Sequence, residues 1–172
     1  MADGVPGSME LLMLGPDDAE ELSEYARPIW LDVYSPLVDG GRERVEEFYD
    51  DWMGPGTIRR QMSEGFFFAY LMDGSKRLGF ISAGIGGETL EINKIYIDPE
   101  ARGKGYGSQA LAYILGYGRE NGCKKAVLEV NSKNEPAISL YEKNGFVRGE
   151  RTSYVDSKGR VSYTLQMLRS EL

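Results

Sequence analysis

The spacing of apolar residues predicts mainly helices in the first third of the chain and mainly strands after it. Between residues 17 and 33, apolar side chains recur every three or four positions, which is the period of one helix face, and Asp17 is the expected N-cap. Pro28 is expected to kink or divide this helix, because proline lacks the N–H that a helix interior uses. The predicted helices cover residues 17–33, 42–53, 57–63, 108–121 and 134–144.

Short runs rich in β-branched and aromatic residues, separated by turns that contain Gly and Asp, predict strands. These strands cover residues 9–14, 66–71, 78–85, 90–97, 126–130, 147–154 and 161–168. Helices come first, then a β-meander, then alternating strands and helices, which predicts one α/β domain (α+β mixed) around a mixed sheet, spanning residues 9–172. Residues 1–8 show no periodicity, and we expect them to form a flexible tail.

The charge of the chain narrows the possible ligands. The 172 residues include 27 acidic and 20 basic side chains, a formal net charge of −7. This argues against nucleic-acid binding, which needs a basic face, and fits either a cationic ligand or a plain acidic surface. No apolar run approaches the roughly 18 residues of a membrane helix, and the N-terminus lacks the features of a signal peptide. We therefore expect a cytoplasmic protein with neither a nucleic-acid nor a membrane partner.

The types of reactive side chain narrow the chemistry further. The sequence contains no histidine, which excludes histidine triads, histidine general bases and histidine metal sites, and no metal is predicted. Proton transfer must then use a carboxylate, a tyrosine, a lysine or water. The single cysteine, Cys123, excludes an internal disulfide and fits a reducing compartment. We expect it to be a buried or incidental thiol, since it lies far in sequence from the motifs described next.

A glycine-rich loop joins a predicted strand to a predicted helix. Residues 102–107 read Arg-Gly-Lys-Gly-Tyr-Gly. Glycine permits positive φ and close approach of the backbone to a ligand, and the N-terminus of the following helix offers free N–H groups, so the loop predicts a phosphate site. Arg102 and Lys104 add positive charge. The spacing fits neither a P-loop, which has Gly-Lys-Ser/Thr, nor the dinucleotide fingerprint G-x-G-x-x-G.

Two motifs together carry a family resemblance. Residues 102–107 match the (Gln/Arg)-x-x-Gly-x-(Gly/Ala) loop of GNAT-type N-acetyltransferases, and residues 130–146 resemble the second CoA segment of that family, a strand followed by N-x-x-A-x-x-x-Y-x-K-x-G-F. The resemblance covers residues 66–168 well and the N-terminal helices poorly. It implies the GNAT fold, a mixed, mostly antiparallel twisted sheet flanked by helices and splayed at the acetyl-CoA site. Within it, residues 66–97 look most like the PaiA-type polyamine acetyltransferases.

The resemblance also implies roles for particular residues. Asn134 would hydrogen-bond the pantetheine arm of acetyl-CoA, the cosubstrate, and Tyr141 would protonate the departing CoA thiolate. The residues alone leave two alternatives open: Asn134 also suits a helix N-cap, and Tyr141 also suits the core. The strand end would lend backbone groups to the acetyl and pantetheine parts through Ile95, Tyr96 and Ile97. The pyrophosphate would be held by Arg102, Gly103, Lys104, Gly105, Tyr106, Gly107 and Ser108.

Glu91 is the candidate general base. By resemblance it occupies the position of the base in the histone acetyltransferases of the family. An alkylamine of pKa about 10.4 costs about 4.6 kcal/mol to neutralise at pH 7, so a base is useful. Alternation along the strand places the odd-numbered residues from Glu91 to Ile97 on one side of the sheet and the even-numbered ones on the other. A carboxylate paired with Lys94 or Arg77, with ordered water as the base, is the alternative.

The predicted reaction is direct transfer of acetyl from acetyl-CoA to a primary amine. A small polyamine such as spermidine or spermine is the expected acceptor, because the chain is acidic and helices 17–33 and 42–53 are rich in acids and aromatics. A protein N-terminus or lysine, an amino acid or an aminoglycoside are alternative acceptors. A non-catalytic acyl-CoA-binding module is a second alternative, and a homodimer stays open. The residues expected to border the acceptor groove are Trp30, Asp32, Tyr34, Glu43, Glu46, Glu47, Tyr49, Asp50, Asp51 and Trp52.

Overall fold

The structure is a computed structural model that describes residues 9–172. It contains five α-helices and seven strands in the order that the sequence predicts. The predicted tail, residues 1–8, lies outside the described residues. The helices are α1 Ala19–Tyr34, α2 Gly41–Met53, α3 Pro55–Ser63, α4 Tyr106–Glu120 and α5 Glu135–Lys143. The strands are β1 Glu10–Met13, β2 Phe67–Asp73, β3 Lys76–Gly86, β4 Thr89–Ile97, β5 Lys125–Asn131, β6 Val147–Val155 and β7 Val161–Arg169.

All seven strands form one sheet in the order β1-β2-β3-β4-β5-β7-β6. Neighbouring strands are antiparallel except β4 and β5, which run parallel and are joined through α4. The parallel ladder pairs only Thr89–Ile92 with Lys125–Leu128, and the two strands have no further paired residues. The predicted fold class is therefore confirmed, including a sheet that is splayed between its two central strands.

Helices cover both faces of the sheet, and each face has its own apolar core. On one face α1, α2 and α3 pack over Phe68, Tyr70 and Phe80. On the other face α4 and α5 pack over residues such as Leu71, Ile81 and Leu90. Because successive side chains of a strand point to opposite faces, each strand of the meander contributes to both cores. The splayed pair β4–β5 therefore lies between two layers of helices.

Two details of α1 differ from the prediction. The helix is not divided at Pro28, which lies inside it with an exposed side chain, so water can satisfy the carbonyl that loses its partner. The prediction that Asp17 is the N-cap of α1 is wrong as well. A short 3-10 helix, Pro16–Asp18, precedes α1, and the Asp18 carboxylate accepts a hydrogen bond of 2.8 Å from the Gly15 N–H.

The start of α4 also differs from the predicted boundary. Sequence spacing predicts a helix from residue 108, whereas α4 begins at Tyr106 with Gly105 as its N-cap. Gly107 and Ser108 therefore lie in the first turn of the helix, and the loop is shorter than predicted. Among residues 9–172, no helix combines the length and the apolar character that crossing a membrane requires.

Candidate active site

The split between β4 and β5 forms a narrow gap at the centre of the sheet. Beyond Ile92, β4 has no strand partner on its β5 side, while β5 stays paired with β7 through Asn131. Backbone groups of β4 from Asn93 to Ile97 that face β5 are therefore open. A cavity of about 40 Å³ occupies the gap, and its lining includes Ile95, Asn134 and Tyr141.

A β-bulge in β4 sets the direction of the side chains beside the gap. Ser82 of β3 lies opposite Lys94 and Ala83 lies opposite Ile92, so Asn93 is an extra residue without a partner. The predicted alternation is therefore wrong at this point. Ile92 packs in the same core as Ile95 and Ile97, whereas Glu91 and Asn93 lie on the side of Lys94 and Tyr96. Both carboxylate and lysine thus face the layer of helices α1–α3.

On that face the gap opens into a larger cleft. The cleft has a volume of about 670 Å³ and lies between α1, α2, β4, β5 and the β6–β7 hairpin. The cleft and the gap share seven lining residues, so they adjoin each other. The shared residues are Tyr34, Ile92, Asn93, Lys94, Tyr96, Glu129 and Val130.

The helices contribute only part of the predicted lining. Asp32, Glu43, Glu46 and Asp50 do not line the cleft, and Tyr49 is buried in the core, where its hydroxyl donates to the Ser23 carbonyl. The residues of the prediction that do line the cleft are Trp30, Tyr34, Glu47, Asp51 and Trp52. Trp52 is 56% exposed, although its helical position also suits the core face. About half of the acidic and aromatic residues that were predicted to border the groove therefore line the cleft.

Only some of the charged side chains in the cleft form ion pairs. Two of its carboxylates are paired: Glu47 with Lys158 and Arg160, and Asp156 with Arg44 and Arg160. Four charged side chains of the cleft form no ion pair within residues 9–172. They are the carboxylates Asp51, Glu91 and Glu129 and the lysine Lys94. The unpaired charge is therefore acidic in excess, which favours cationic ligands.

Glu91 is an exposed carboxylate at the edge of this cleft. Partial burial, together with the negative charges of Glu129 and Glu64, raises the pKa of Glu91 above its ordinary value. The alternative that Glu91 is neutralised by a cation is wrong, because Arg77 pairs with Glu21 at 2.9 Å and Lys94 has no carboxylate partner. A carboxylate of raised pKa beside a cleft is a stronger base than an ordinary one.

The inner end of the cleft carries hydrogen-bond donors, of which the sequence analysis missed Lys94 as a site residue. Lys94 is only 6% exposed, and its Nζ has a single contact, 3.5 Å to the Asn93 Oδ1. Trp30 is 4% exposed, and its Nε1 is buried without an acceptor among the described residues. The hydroxyls of Tyr34 and Tyr96 lie 2.5 Å apart. Burial lowers the pKa of Lys94 to about 8.

Tyr141 lies on the opposite side of the gap, on α5. The residue is 7% exposed, and its ring packs edge-on against Phe146 with centroids 5.7 Å apart. No described residue accepts or donates a hydrogen bond at its hydroxyl, although the side chain lines the gap. Burial, with a smaller effect from Tyr34, raises the pKa of Tyr141, so the phenol stays protonated at neutral pH.

Asn134 combines a structural role with a place beside the gap. It is the N-cap of α5, where its Oδ1 accepts a hydrogen bond of 3.4 Å from the Ala137 N–H. This confirms the N-cap prediction. Because only the oxygen of the amide is used, the Nδ2 group is left to donate elsewhere. Two turns of helix separate Asn134 from Tyr141, and both line the same cavity.

The glycine loop presents a row of open donors next to the gap. Gly103 and Gly105 have φ of +78° and +85°, which turns successive N–H groups toward one concave side. Within residues 9–172, no acceptor is bound by the N–H groups of residues 103–108, since the first bond of α4 runs from Gln109 to the Gly105 carbonyl. Lys104 is exposed beside them. Six open N–H groups at a helix N-terminus fit an anion such as a pyrophosphate.

Arg102 contributes to this loop differently from Lys104. Its Nη1 lies 2.5 Å from the Asp32 carboxylate of α1, and its Nε donates to the Ile97 carbonyl at 3.1 Å. The guanidinium therefore fastens the start of the loop to α1 and to the end of β4. Asp32, expected in the acceptor groove, is instead the partner of this arginine.

The open edge of β4, the free N–H groups of the glycine loop and the tyrosine beside the gap are the features that the resemblance to an acetyl-CoA-dependent transferase implies. The model of the acetyltransferase (GNAT) family matches residues 20–146, which includes the N-terminal helices and both motifs but not the terminal hairpin. The chain therefore belongs to the GNAT family, whose members are acetyl-CoA-dependent N-acetyltransferases. The predicted family and reaction class are confirmed, and an enzyme is favoured over a non-catalytic binding module.

Individual relatives agree with this assignment. A spermidine N(1)-acetyltransferase from Thermoplasma acidophilum is 26% identical over 148 residues, which cover 81% of this chain and 88% of that protein. The N-alpha-acetyltransferase RimI of Mycobacterium tuberculosis is 28% identical over 123 residues, 68% of this chain and 76% of that protein. The crystal structure of the PaiA N-acetyltransferase from Thermoplasma acidophilum in complex with coenzyme A has a TM-score of 0.71 and 23% identity, and the match covers 92% of this chain and 98% of that one.

Proposed function

We propose that this enzyme transfers the acetyl group directly from acetyl-CoA to a primary amine of a small polyamine such as spermidine or spermine. The observation that carries the proposal is the gap at the split in the sheet, which contains Tyr141 and adjoins a cleft with an acidic excess. In this arrangement the acetyl donor enters from the side of α4 and α5, and the amine enters from the side of α1 and α2.

The proposed site of the acetyl donor follows the loop and the open edge of β4. The N–H groups of residues 103–108 bind the pyrophosphate, with Lys104 adding charge and Arg102 fixing the loop. The backbone of Ile95, Tyr96 and Ile97, which lacks a partner on the β5 side, hydrogen-bonds the acetyl and pantetheine parts as an added strand would. Asn134 Nδ2 adds a contact to the same arm.

Replacing Gly105 by valine should raise KM for acetyl-CoA about tenfold, because a β-branched residue at φ +85° costs about 1–2 kcal/mol and turns the N–H groups out of line. The space around Gly105 is open, so the effect comes from the backbone conformation alone. Steady-state kinetics with varied acetyl-CoA measure it. An unchanged KM in a folded variant would show that the loop does not bind the donor.

Gly107→Ala is the matched control. Gly107 has an ordinary helical φ, and a Cβ there would meet Leu140 Cδ2 at 3.6 Å, a normal van der Waals contact. Alanine also favours the helix more than glycine does. KM for acetyl-CoA should therefore change by no more than about twofold in this variant, although the two substituted positions are only two residues apart.

The proposed chemistry uses one acid and one base on opposite sides of the split. Glu91, with its raised pKa, accepts the proton of the incoming ammonium directly or through water. The neutral amine attacks the thioester carbon, the carbon–sulfur bond breaks, and the Tyr141 hydroxyl donates its proton to the sulfur that leaves. The proton that the nitrogen loses as the amide forms then returns to the Tyr141 phenolate through solvent. Glu91 lines the cleft and Tyr141 lines the gap, so the two groups act at the two ends of the reacting space.

Support for a cationic acceptor comes from the charges of the cleft and from a relative. The carboxylates Asp51, Glu91 and Glu129 have no cation partner among residues 9–172 and attract ammonium groups. Trp52 and Tyr154 are exposed aromatic faces in the same lining and add cation–π contacts of roughly 0.5–2 kcal/mol. The Thermoplasma relative named above is a spermidine acetyltransferase, which points to the same class of acceptor.

Added salt should lower kcat/KM for spermidine steeply and leave that for a neutral-bodied monoamine nearly unchanged, since screening weakens attraction between separated charges. Glu129→Gln should raise KM for spermidine about two- to fivefold, the size of one exposed charge interaction. Glu43→Gln, which removes an exposed charge of α2 outside the cleft, is the control. CoA release measures both, and a flat salt response would contradict a polycationic acceptor.

A second candidate acceptor is an amino acid or a peptide N-terminus. Its support is the inner end of the cleft, where Lys94 Nζ and Trp30 Nε1 are donors without an anionic partner and suit a carboxylate or carbonyl. A panel of spermidine, spermine, a lysine peptide, an N-terminal peptide and an aminoglycoside separates the two candidates. Faster turnover of the peptides would favour this second acceptor.

A further inference from the structure

Lys94 resembles the substrate of the enzyme in its chemistry. It is a primary alkylamine, and burial lowers its pKa to about 8, so roughly half of it is the neutral, nucleophilic form at pH 8. An exposed lysine with a pKa of about 10.4 is neutral to only about 0.4% at that pH, roughly 100-fold less. The other lysines of the chain are all exposed: Lys76, Lys104, Lys124, Lys125, Lys133, Lys143 and Lys158.

The position of Lys94 also distinguishes it from the other lysines. It follows the bulged residue Asn93 and lies within the open edge of β4, which begins after Ile92. It lines both the cleft and the gap, and Tyr141 lines the same gap. Among residues 9–172, no carboxylate pairs with its Nζ, which lies 5.9 Å from the centre of the Trp30 ring and has one 3.5 Å contact to the Asn93 Oδ1. No ion pair in that part of the chain therefore holds the amine away from the gap.

We propose that Lys94 is a self-acetylation site, modified by the acetyl-CoA bound to the same chain when no amine acceptor fills the cleft. The inference rests on the proposed function of the gap as the acetyl site. The neutral Nζ forms a bond to the acetyl carbon, the carbon–sulfur bond of the thioester breaks, and the proton lost from nitrogen balances the thiolate to give free CoA. The product is an uncharged amide that occupies the inner end of the cleft, so acetylation slows amine turnover.

The test is to incubate the wild-type protein with acetyl-CoA alone and to follow acetyl occupancy at each lysine by peptide mass spectrometry. Lys94 should be acetylated at least about tenfold faster than the exposed Lys125 at pH 8, because it lines the gap and carries a larger neutral fraction, with a rate that rises with pH until the ammonium is titrated near pH 8. Acetyl phosphate lacks the pantetheine arm that would carry the acetyl group from the glycine loop to the gap, so with this donor the preference should reverse because Lys94 is buried. Tyr141→Phe should slow labelling of Lys94 and leave that of Lys125 unchanged.

A second measurement connects the modification to activity. Preincubation with acetyl-CoA should lower the subsequent amine turnover of the wild type, whereas the ratio of rates with and without preincubation should stay at one in Lys94→Arg, whose guanidinium is not acetylated. Labelling of Lys94 no faster than that of Lys125 overturns the proposal. If amines are turned over in that case, the proposed function stands without self-acetylation. If neither amines nor Lys94 are acetylated, both proposals are wrong.

Discussion

Replacing Tyr141 by phenylalanine should lower kcat by about 100- to 10,000-fold, the range that general acid catalysis contributes, without changing the affinity for acetyl-CoA. The ring fills a buried space against Phe146, and phenylalanine keeps that packing. The hydroxyl has no partner among the described residues, so its removal leaves no orphaned group behind. Only the proton donated to the leaving sulfur is lost.

Tyr117→Phe is the matched control for this variant. Tyr117 is also a partly buried tyrosine with an edge-on aromatic neighbour, Phe67 at 5.0 Å, but it lines neither the gap nor the cleft. Its kcat should remain close to that of the wild type. Because the pKa of Tyr141 is raised, its proton stays in place across pH 7–9, and Tyr141 should produce no fall in kcat on the alkaline side. A Tyr141→Phe enzyme of unchanged kcat would contradict the assignment.

The conformation of the glycine loop was predictable because it depends on local sequence. Gly103 and Gly105 adopt the positive φ that glycine permits, and the donors follow from the helix start that comes directly after them. The second motif is local in the same way, since the Asn134 cap and the two-turn spacing to Tyr141 lie within one helix. The family-specific roles of these residues came from the resemblance and not from the spacing.

The side-chain directions along β4 were not predictable, because they depend on one extra residue. A period of two assigns Glu91 and Lys94 to opposite sides of the sheet, and the bulge at Asn93 brings them to the same side. The Asn93 amide is held by Gln61 and Ser82, both at 3.0 Å, from two other elements of the fold. No pattern within residues 90–97 contains that information. Lys94 was missed as a site residue for the same reason.

The cleft walls depend on contacts between segments that are far apart in sequence. Arg44 of α2 is 3% exposed, and its Nε lies 3.2 Å from the Asp156 carboxylate in the β6–β7 hairpin. In a helix with an acidic and an apolar face, an arginine is expected to be a surface residue, as Arg42 of the same helix is. The remaining hydrogen bonds of its guanidinium, at 3.2–3.4 Å, go to the Asp39, Arg160 and Val161 carbonyls and to Ser162 Oγ.

Arg44→Ala should lower the free energy of unfolding by about 3 kcal/mol, the cost of removing one partner from a buried charge pair. The lower end of the range applies because Asp156 keeps Arg160 at 2.7 Å and is not left alone. The variant should also raise KM for the amine, since α2 and the hairpin, which Arg44 joins, both line the cleft. Denaturant unfolding measures the first effect, and CoA release with varied amine measures the second.

Arg42→Ala on the same helix distinguishes this contact from a general effect of removing positive charge. Arg42 pairs with Glu46 at 3.1 Å, but its side chain is 70% exposed, and such pairs contribute at most about 0.5 kcal/mol. The two variants remove the same side chain two positions apart, so burial is the main difference between them. If both variants lose less than about 0.5 kcal/mol, Arg44 does not hold the hairpin against α2, and the cleft wall must be stabilised by the exposed pairs of Glu47 instead.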